Sequence, residues 1–429
     1  MMKSTLLLGK NYHSFLISFA LFERNKKVVL VDDHLKDYEE GAYLWDFEIN
    51  ILKTWGLDCQ ISQLLDLSNY LSPGPYTFIF DGKHLNLGGS PGQNYNEILR
   101  KFPSLLSLDP LKDDASRKKF DKMFESFSEK FGVKLFRFIG QSEFKMEMVW
   151  ELLPPELKTI FQDFKAQSKK EELKYLCCFF QGIYQHQFFS ERPDFLLLFI
   201  ILFLISPRFE LNRKKFEEDL LNSFKKHGGE VVSSEKVLFK TDGSGIHQFE
   251  APGKDPLNLE KLFLTSGEFL GVSLVPDSNF CYTSLKIRLH LKNPELLKNE
   301  FFVSGTGRLG GDYPLTRFKF EKDGLIGEVL IPYMPGSKSE LEEKNALKIL
   351  LNDIKEVLGD LPGKELRPES ILTQKFWSHD FGKKSVSFFN WPYFPKPVKN
   401  LNVFHPLKSG PLGNLSVLSQ IKDERGHIL

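Results

Sequence analysis

Residues 4–14 read STLLLGKNYHS, and residues 27–33 read KVVLVDD. The first run opens with a short apolar segment that ends at Gly9, which is typical of a buried parallel strand. Apolar positions at helical spacing follow this glycine, and a second, β-branched strand then ends at Asp32 and Asp33. Strand, glycine turn, helix, strand and acid within about 30 residues predict a dinucleotide-binding βαβ unit.

The glycine pattern of this βαβ unit is incomplete. In the fingerprint GxGxxG, the first glycine permits a tight turn and the second lets the backbone approach a pyrophosphate, while the third lets helix and strand pack closely. The matching positions here are Gly9, Asn11 and Ser14, so only the first glycine is present. We expect these three residues to line a cofactor site, with Asp32 and Asp33 beside the ribose.

The bulk composition is that of a globular chain with more than one domain. At 429 residues the chain is too long for one ordinary core. Hydrophobic residues make up 41% and charged residues 26%, which is the balance of a folded protein. The net charge of +1 offers no concentrated basic surface, so we expect no nucleic-acid partner. The 41 Phe could line an apolar ligand cavity, but ordinary core packing is the favoured interpretation.

Cysteine and histidine usage bears on metals and on the compartment. The four Cys form neither a CxxC pair nor a metal-ligand spacing, and the ten His form no HxH or HExxH pattern. We therefore expect no metal site. With no disulfide framework, and no charged region and cleavage site before the first strand, the sequence predicts a cytoplasmic protein.

One segment imitates a membrane span. Residues 195–205 are eleven consecutive apolar residues. As a helix they would be roughly 16 Å long, which is about half the thickness of a bilayer core. The sequence therefore predicts no transmembrane segment. A buried helix is the favoured interpretation, and peripheral contact with a membrane surface is the alternative.

Three later stretches, in this order, resemble the phytoene-desaturase and flavin-containing amine oxidase superfamily. Residues 76–87, YTFIFDGKHLNL, and the Phe-Pro that follows are similar to its strand, Asp-Gly, strand, helix, Phe-Pro passage. Residues 216–237 resemble its helix, Gly-Gly, strand, valine element, in which the backbone of Val237 would meet the adenine side of FAD. Residues 400–419, including Gly410, resemble its C-terminal flavin motif.

The resemblance implies an α/β fold, with a discontinuous Rossmann-like dinucleotide-binding domain and an inserted α+β substrate-type domain. We predict that the dinucleotide-binding domain comprises residues 1–74, 210–250 and 391–429. The substrate-type domain then comprises residues 75–209 and 251–390. FAD is the cofactor that this resemblance implies.

The sequence also departs from the family pattern at four cofactor contact zones. Asn11 and Ser14 replace glycines, and the region after Asp33 holds a single glycine where a pair is expected. Pro207-Arg208-Phe209-Glu210 stands in place of Pro-x-Gly-Gly. His405-Pro406 replaces the Gly-Asp of the flavin motif, and a proline has no amide hydrogen to donate. We therefore expect FAD to be bound weakly or not at all.

Other constellations carry little chemistry. A second GxGxxG at 305–310 precedes a strand-like run rather than a helix, so a hairpin loop is favoured over a phosphate site. His379-Asp380 is the most enzyme-like polar pair, but a structural role is favoured. No Gly-x-Ser-x-Gly motif is present, so the usual serine-hydrolase signature is missing. The sequence names no catalytic residue.

Three functions remain after this reading. The favoured one is a degenerate flavoprotein-fold protein that is non-catalytic and binds an apolar small molecule, a lipid or a protein partner. Rab GDP-dissociation inhibitors are a precedent for this fold without flavin. The alternative is an FAD-dependent oxidoreductase of the phytoene-desaturase/amine-oxidase type, and a structural or assembly role is the third.

Overall fold

A computed structural model describes residues 4–10, 12–22, 26–32, 50, 53–54, 66–80, 83–103, 106–138, 146–167, 193–233, 237–242, 245–265, 268–269, 272–273, 280–290, 300–304, 315–321, 324–332, 344, 348–349, 352–353, 367–377 and 400–403. Within these ranges the helices are α1 (Tyr12–Phe22), α2 (Pro91–Lys101), α3 (Asp114–Phe138), α4 (Met146–Trp150), α5 (Pro155–Ala166), α6 (Pro193–Ile205) and α7 (Arg213–Lys226), with a 3-10 helix at Leu67–Asn69.

The strands of the described ranges alternate with these helices at first and then follow one another. They are β1 (Ser4–Leu8), β2 (Lys27–Asp32), β3 (Leu71–Pro73), β4 (Tyr76–Phe80), β5 (Lys83–Leu87), β6 (Phe209–Leu211), β7 (Glu230–Ser233), β8 (Leu238–Asp242), β9 (Gly245–Glu250), β10 (Leu257–Leu264), β11 (Glu268–Phe269), β12 (Val272–Ser273), β13 (Phe280–His290), β14 (Glu300–Ser304), β15 (Leu315–Glu321), β16 (Gly324–Pro332), β17 (Arg367–Trp377) and β18 (Leu401–Val403).

The first sheet is mostly parallel and carries the predicted βαβ unit. Its strand order is β7-β2-β1-β10-β9-β8, and β18 pairs with β10. Strands β1 and β2 are parallel neighbours in a register that pairs Ser4 with Lys27 and Leu8 with Val31. The prediction of two adjacent parallel strands is therefore confirmed. The pairs β2–β7, β1–β10 and β10–β18 are also parallel, as in a Rossmann-like α/β fold, whereas β9 is antiparallel to β10.

The helix, Gly-Gly, strand element returns to this first sheet. Helix α7 ends at Lys226, and Gly228, two residues later, has a φ of 85°, in the left-handed region that glycine adopts without steric cost. Strand β7 follows at once and pairs with β2, aligning Val29 with Glu230. Helix α7 also packs on α1, where the rings of Phe15 and Phe224 lie 5.8 Å apart. The predicted glycine stop is confirmed.

Strand β10 corrects one boundary of the predicted domains. The sequence assigns residues 251–390 to the substrate-type domain, yet β10 lies between β1 and β9 in the first sheet. Its last three residues, 262–264, are buried, because β1 and β18 cover both edges of the strand there. The local sequence of residues 257–264 does not show which strand they join. The rest of the domain division stays a prediction.

The second sheet is mostly antiparallel, in the order β17-β13-β16-β15-β14-β4-β5. Strands β4 and β5 form the predicted hairpin, with Tyr76 opposite Leu87 and Phe80 opposite Lys83. Strands β14 and β15 are also antiparallel neighbours. The second glycine-rich motif falls between them, so its flanks have the arrangement of a hairpin, although 305–310 lie outside the described residues.

Phenylalanine side chains fill much of the described core. On α3 the rings of Phe127 and Phe131 stack at 5.6 Å, and Phe131 meets Phe199 of α6 edge-on at 6.4 Å. Residues 197–205 of α6 are buried in this core apart from the half-buried Phe203. The interpretation of this apolar run as a buried helix is therefore confirmed. None of the helices in the described ranges combines the length and the apolarity that crossing a membrane requires.

Candidate functional site

The turn after β1 lies at the carboxyl edge of the first sheet, where open α/β sheets bind their ligands. Gly9 has a φ of 103°, a conformation that residues with a Cβ rarely adopt. Its amide donates a hydrogen bond to the carbonyl of Val31 at 3.3 Å, so the turn is attached to β2. The backbone conformation thus requires glycine at this first position of the fingerprint. Gly9 lies in the turn between β1 and α1, as the sequence predicts.

Ser14, at the third-glycine position, faces the protein interior. Its side chain is fully buried, and its hydroxyl donates to the carbonyl oxygen of Gly9 at 2.5 Å. The Ser14 hydroxyl oxygen also lies 2.8 Å from the hydroxyl oxygen of Thr265, the residue directly after β10. The Thr265 hydroxyl in turn donates to the carbonyl of Leu8 at 3.0 Å. Ser14 therefore holds the turn together from within, and its burial leaves it no exposed surface for contact with a cofactor.

Thr265 is a part of this site that sequence reasoning missed. The only signal was a small polar residue directly after the apolar end of a strand. That signal becomes meaningful when β10 is known to lie beside β1, because the carboxyl ends of parallel neighbours meet at one edge of the sheet. The backbone amide of Thr265 also donates to the carbonyl of Leu8, at 3.1 Å.

Asp32, the predicted ribose-binding acid, is engaged by a lysine of the turn. The Lys10 ammonium lies 3.2 Å from the Asp32 Oδ2, and the two side chains are 39% and 19% exposed. The pair spans the carboxyl ends of β1 and β2, next to Gly9. The ammonium group thus covers the carboxylate that the βαβ fingerprint reserves for ribose hydroxyl groups.

The other predicted site residues are not brought together with this turn in the described part of the chain. Val237 is buried in the apolar cluster that includes Val31, Ile246 and Phe249 of the first sheet. Asn11, Asp33 and Gly410 lie outside the described residues. Their roles as cofactor-binding residues stay predictions, as does that of Val237.

The start of the C-terminal motif has a structural role. The Asn400 side-chain amide donates to the carbonyl of Ile246 at 2.6 Å, and its Oδ1 accepts from the Ile246 amide at 3.2 Å. The Asn400 carbonyl accepts from the amide of Leu262 at 2.8 Å. Asn400 therefore joins β9 and β10 just before β18 enters the sheet.

Chemistry beyond this turn is sparse in the described ranges. No group of three or more His, Cys, Asp or Glu side chains there could hold a metal ion. The His379-Asp380 pair lies outside the described residues. Among the described residues, the backbone at Gly9 fits a dinucleotide. The neighbouring positions do not, because Ser14 replaces the third glycine and the Lys10 ammonium contacts the Asp32 carboxylate.

Comparison with known proteins identifies the fold. No protein-family model matches the chain, and no curated protein sequence is significantly similar to it. Among solved structures, an oxidoreductase from Methanosarcina mazei is 13% identical with a TM-score of 0.50, over 98% of this chain and 100% of that one. The Rab GDI of Plasmodium falciparum is 13% identical with a TM-score of 0.49, over 100% of this chain and 99% of that one. The L-proline dehydrogenase of P. horikoshii is 10% identical with a TM-score of 0.43, over 99% and 92%.

At these identities the likeness concerns the fold alone. The parallel first sheet, the glycine turn and the acid at the end of β2 agree with it. The chain therefore has a Rossmann-like α/β fold.

Proposed function

We propose that this chain is a divergent relative of the phytoene-desaturase and amine-oxidase branch that no longer performs flavin chemistry. It binds an apolar ligand or a protein partner and holds FAD weakly or not at all. The βαβ unit serves as a structural framework, and the former substrate-type domain provides the binding surface.

The observation that carries this proposal is the buried Ser14 hydroxyl at the third-glycine position. In the fingerprint this glycine brings helix and strand together so that a pyrophosphate can sit on the helix N-terminus. Here the contact between Ser14, Gly9 and Thr265 stabilises the turn by protein groups alone. A turn that is satisfied internally does not need a bound dinucleotide to complete it.

The remaining departures of the sequence support the same conclusion. Pro406 cannot donate an amide hydrogen bond where the flavin motif supplies one, and Asn11 stands at the fingerprint position where glycine lets the backbone approach the pyrophosphate. A hydrogen bond to a charged group contributes about 1.5–3 kcal/mol. Losing two or three of them would weaken binding by roughly 10²- to 10⁶-fold, since about 1.4 kcal/mol corresponds to a factor of ten.

An FAD-dependent oxidoreductase is the second candidate, and the intact Gly9 turn favours it. The positive φ of Gly9 and its attachment to Val31 preserve the backbone path that a pyrophosphate requires. In such an enzyme the isoalloxazine carries the redox chemistry, so the protein needs no acid–base set of its own. The two candidates therefore differ in cofactor occupancy.

Cofactor occupancy is tested on purified full-length protein. The protein is incubated with excess FAD, passed through a desalting column and assayed for visible flavin absorbance per chain. We expect well under one FAD per chain. Replacing Asn11→Gly should raise retention, because it restores the second glycine, whereas Asn25→Gly, beyond α1, is the matched control and should not. One FAD per chain in the wild type would overturn the proposal and favour the oxidoreductase.

The bound ligand is identified on the same preparation. Organic extraction followed by mass spectrometry should recover a lipid or another apolar molecule in proportion to the protein. Protein without such a molecule would favour the protein-partner form of the proposal. Flavin reduction by an apolar or amine substrate, measured as bleaching of the flavin band, would contradict both forms.

A further inference from the structure

We infer that Lys10 is a tethered competitor for the nucleoside position, and that it holds Asp32 in place of the ribose hydroxyls of an adenine nucleoside. This inference deepens the proposed function and rests on it, since it describes why this turn takes a dinucleotide poorly. The juxtaposition that carries it is the 3.2 Å contact between the Lys10 ammonium and the Asp32 carboxylate.

The backbone places these two residues beside each other. Leu8 and Val31 are register partners at the ends of β1 and β2, and Gly9 donates to the carbonyl of Val31. Lys10 directly follows Gly9, and Asp32 directly follows Val31. Because both backbones are fixed by the sheet and the turn, the lysine side chain needs little ordering beyond its own rotamers to reach the carboxylate.

Lys10 and a ribose would compete for the same carboxylate. A ribose donates hydroxyl hydrogens to the carboxylate that ends the second strand. The ammonium of Lys10 donates to the same carboxylate, at Oδ2, so a ribose whose two hydroxyl groups engage both carboxylate oxygens must displace it. The lysine side chain is 39% exposed, which leaves the pair open to solvent, to salt and to an incoming ligand. Lys10 thus lowers nucleoside affinity without closing the site.

The expected effect is modest because the ion pair is partly exposed. Removing the Lys10 charge should strengthen adenosine binding by about two- to five-fold, which is the range that a partly exposed ion pair supports. Raising the salt concentration should strengthen adenosine binding to the wild type, since salt screens the competing pair. The same change of salt should leave the Lys10 variant unaffected.

Adenosine is the probe because it has a ribose and no phosphate. Its affinity is measured by NMR titration on the full chain for wild type, Lys10→Met and the double variant Lys10→Met/Asp32→Asn. Lys10→Met should bind adenosine more tightly, and the added Asp32→Asn should abolish that gain. Lys27→Met is the matched control, because Lys27 pairs with Glu230 at 3.9 Å at the opposite, amino end of β2.

A titration with ADP distinguishes the rival role of Lys10 as a phosphate ligand. If Lys10→Met weakens ADP binding and leaves adenosine binding unchanged, the inference is overturned. Equal adenosine affinities, or no adenosine binding by either protein, would also overturn it, since removing the Lys10 charge would then not make Asp32 a ribose acceptor. Stoichiometric FAD in the wild type would overturn the proposed function but not this inference, because the inference is tested by the difference in adenosine affinity between wild type and Lys10→Met.

Discussion

The hydroxyl oxygens of Ser14 and Thr265 lie 2.8 Å apart in the protein interior, although the two residues are 251 positions apart in the chain. One belongs to the first turn of α1 and the other follows β10. Through Gly9 and Leu8, whose carbonyls they contact, they join a helix and two strands at the carboxyl edge of the first sheet. The integrity of the fingerprint turn therefore depends on a residue far outside the fingerprint.

Loss of either hydroxyl should destabilise the protein. Ser14→Ala and Thr265→Val each remove a buried donor, and we expect each to lower the free energy of unfolding by about 1–3 kcal/mol. The double variant should lose less than the sum, because the two side chains share one contact. Urea unfolding measures all three, with the exposed Ser72→Ala as control. Strict additivity would show that the two hydroxyls act independently.

Restoring glycine at position 14 should also destabilise. Ser14→Gly removes the same hydroxyl and adds backbone freedom to the first turn of α1, so we expect a cost at least as large as that of Ser14→Ala. Thermal unfolding of the two variants under identical conditions gives the comparison. A Ser14→Gly variant as stable as the wild type would mean that close packing alone can hold this turn.

Alanine should destabilise the protein at each of the paired glycines after α7, for a different physical reason at each. A Cβ at Gly229 would clash with the ring of Phe224, which is fully buried and packed against Phe15, so the ring cannot move away. We expect Gly229→Ala to cost about 1–3 kcal/mol through overpacking. Gly228→Ala meets nothing within 4 Å and carries only the strain of φ +85°, about 1–2 kcal/mol. Chemical denaturation compares them, and an unchanged Gly229→Ala would contradict the tight contact.

Tyr70 should make stability fall at high pH. Burial, together with the hydrogen bond that its hydroxyl donates to Asp219 at 2.8 Å, raises the pKa of Tyr70 from 10.0 to about 12. Between these values the unfolded chain has lost the proton that the folded chain keeps, so the free energy of unfolding decreases as pH rises. Tyr70→Phe, which keeps the ring, should lose less stability across this window. Urea unfolding measures the free energy of unfolding of both proteins across this pH range. If it fell equally in both, Tyr70 would not be the cause.

The apolar helix α6 should tolerate truncation poorly. Leu202 is fully buried there, and Leu202→Ala should lower the free energy of unfolding by about 2–5 kcal/mol through the cavity it leaves. Leu238→Ala, at a leucine that is 64% exposed, makes the same chemical change and should stay within about 0.5 kcal/mol of wild type. If Leu202→Ala were as mild as Leu238→Ala, the helix would not lie in a close-packed core.

Local patterns in the sequence determined the elements of this protein. The run 4–8 is apolar throughout, the positive φ of Gly9 demands glycine, and Gly228 stops a helix before a strand. Each of these is a property of neighbouring residues, since burial on both faces, steric freedom and helix termination act over a few positions. The βαβ unit and the hairpin of β4 and β5 could therefore be predicted, because the strands that pair in them are close together in the sequence.

Only the tertiary structure decided which distant elements meet. The sequence of residues 257–264 contains no information on whether β1 or the second sheet pairs with this strand. The contact of Ser14 with Thr265 depends on that pairing. The contact of Lys10 with Asp32 depends on where a flexible side chain finds its counter-charge above the sheet. Hydrophobic burial is non-directional, so the sequence specifies which surfaces leave water, and the folded arrangement determines their partners.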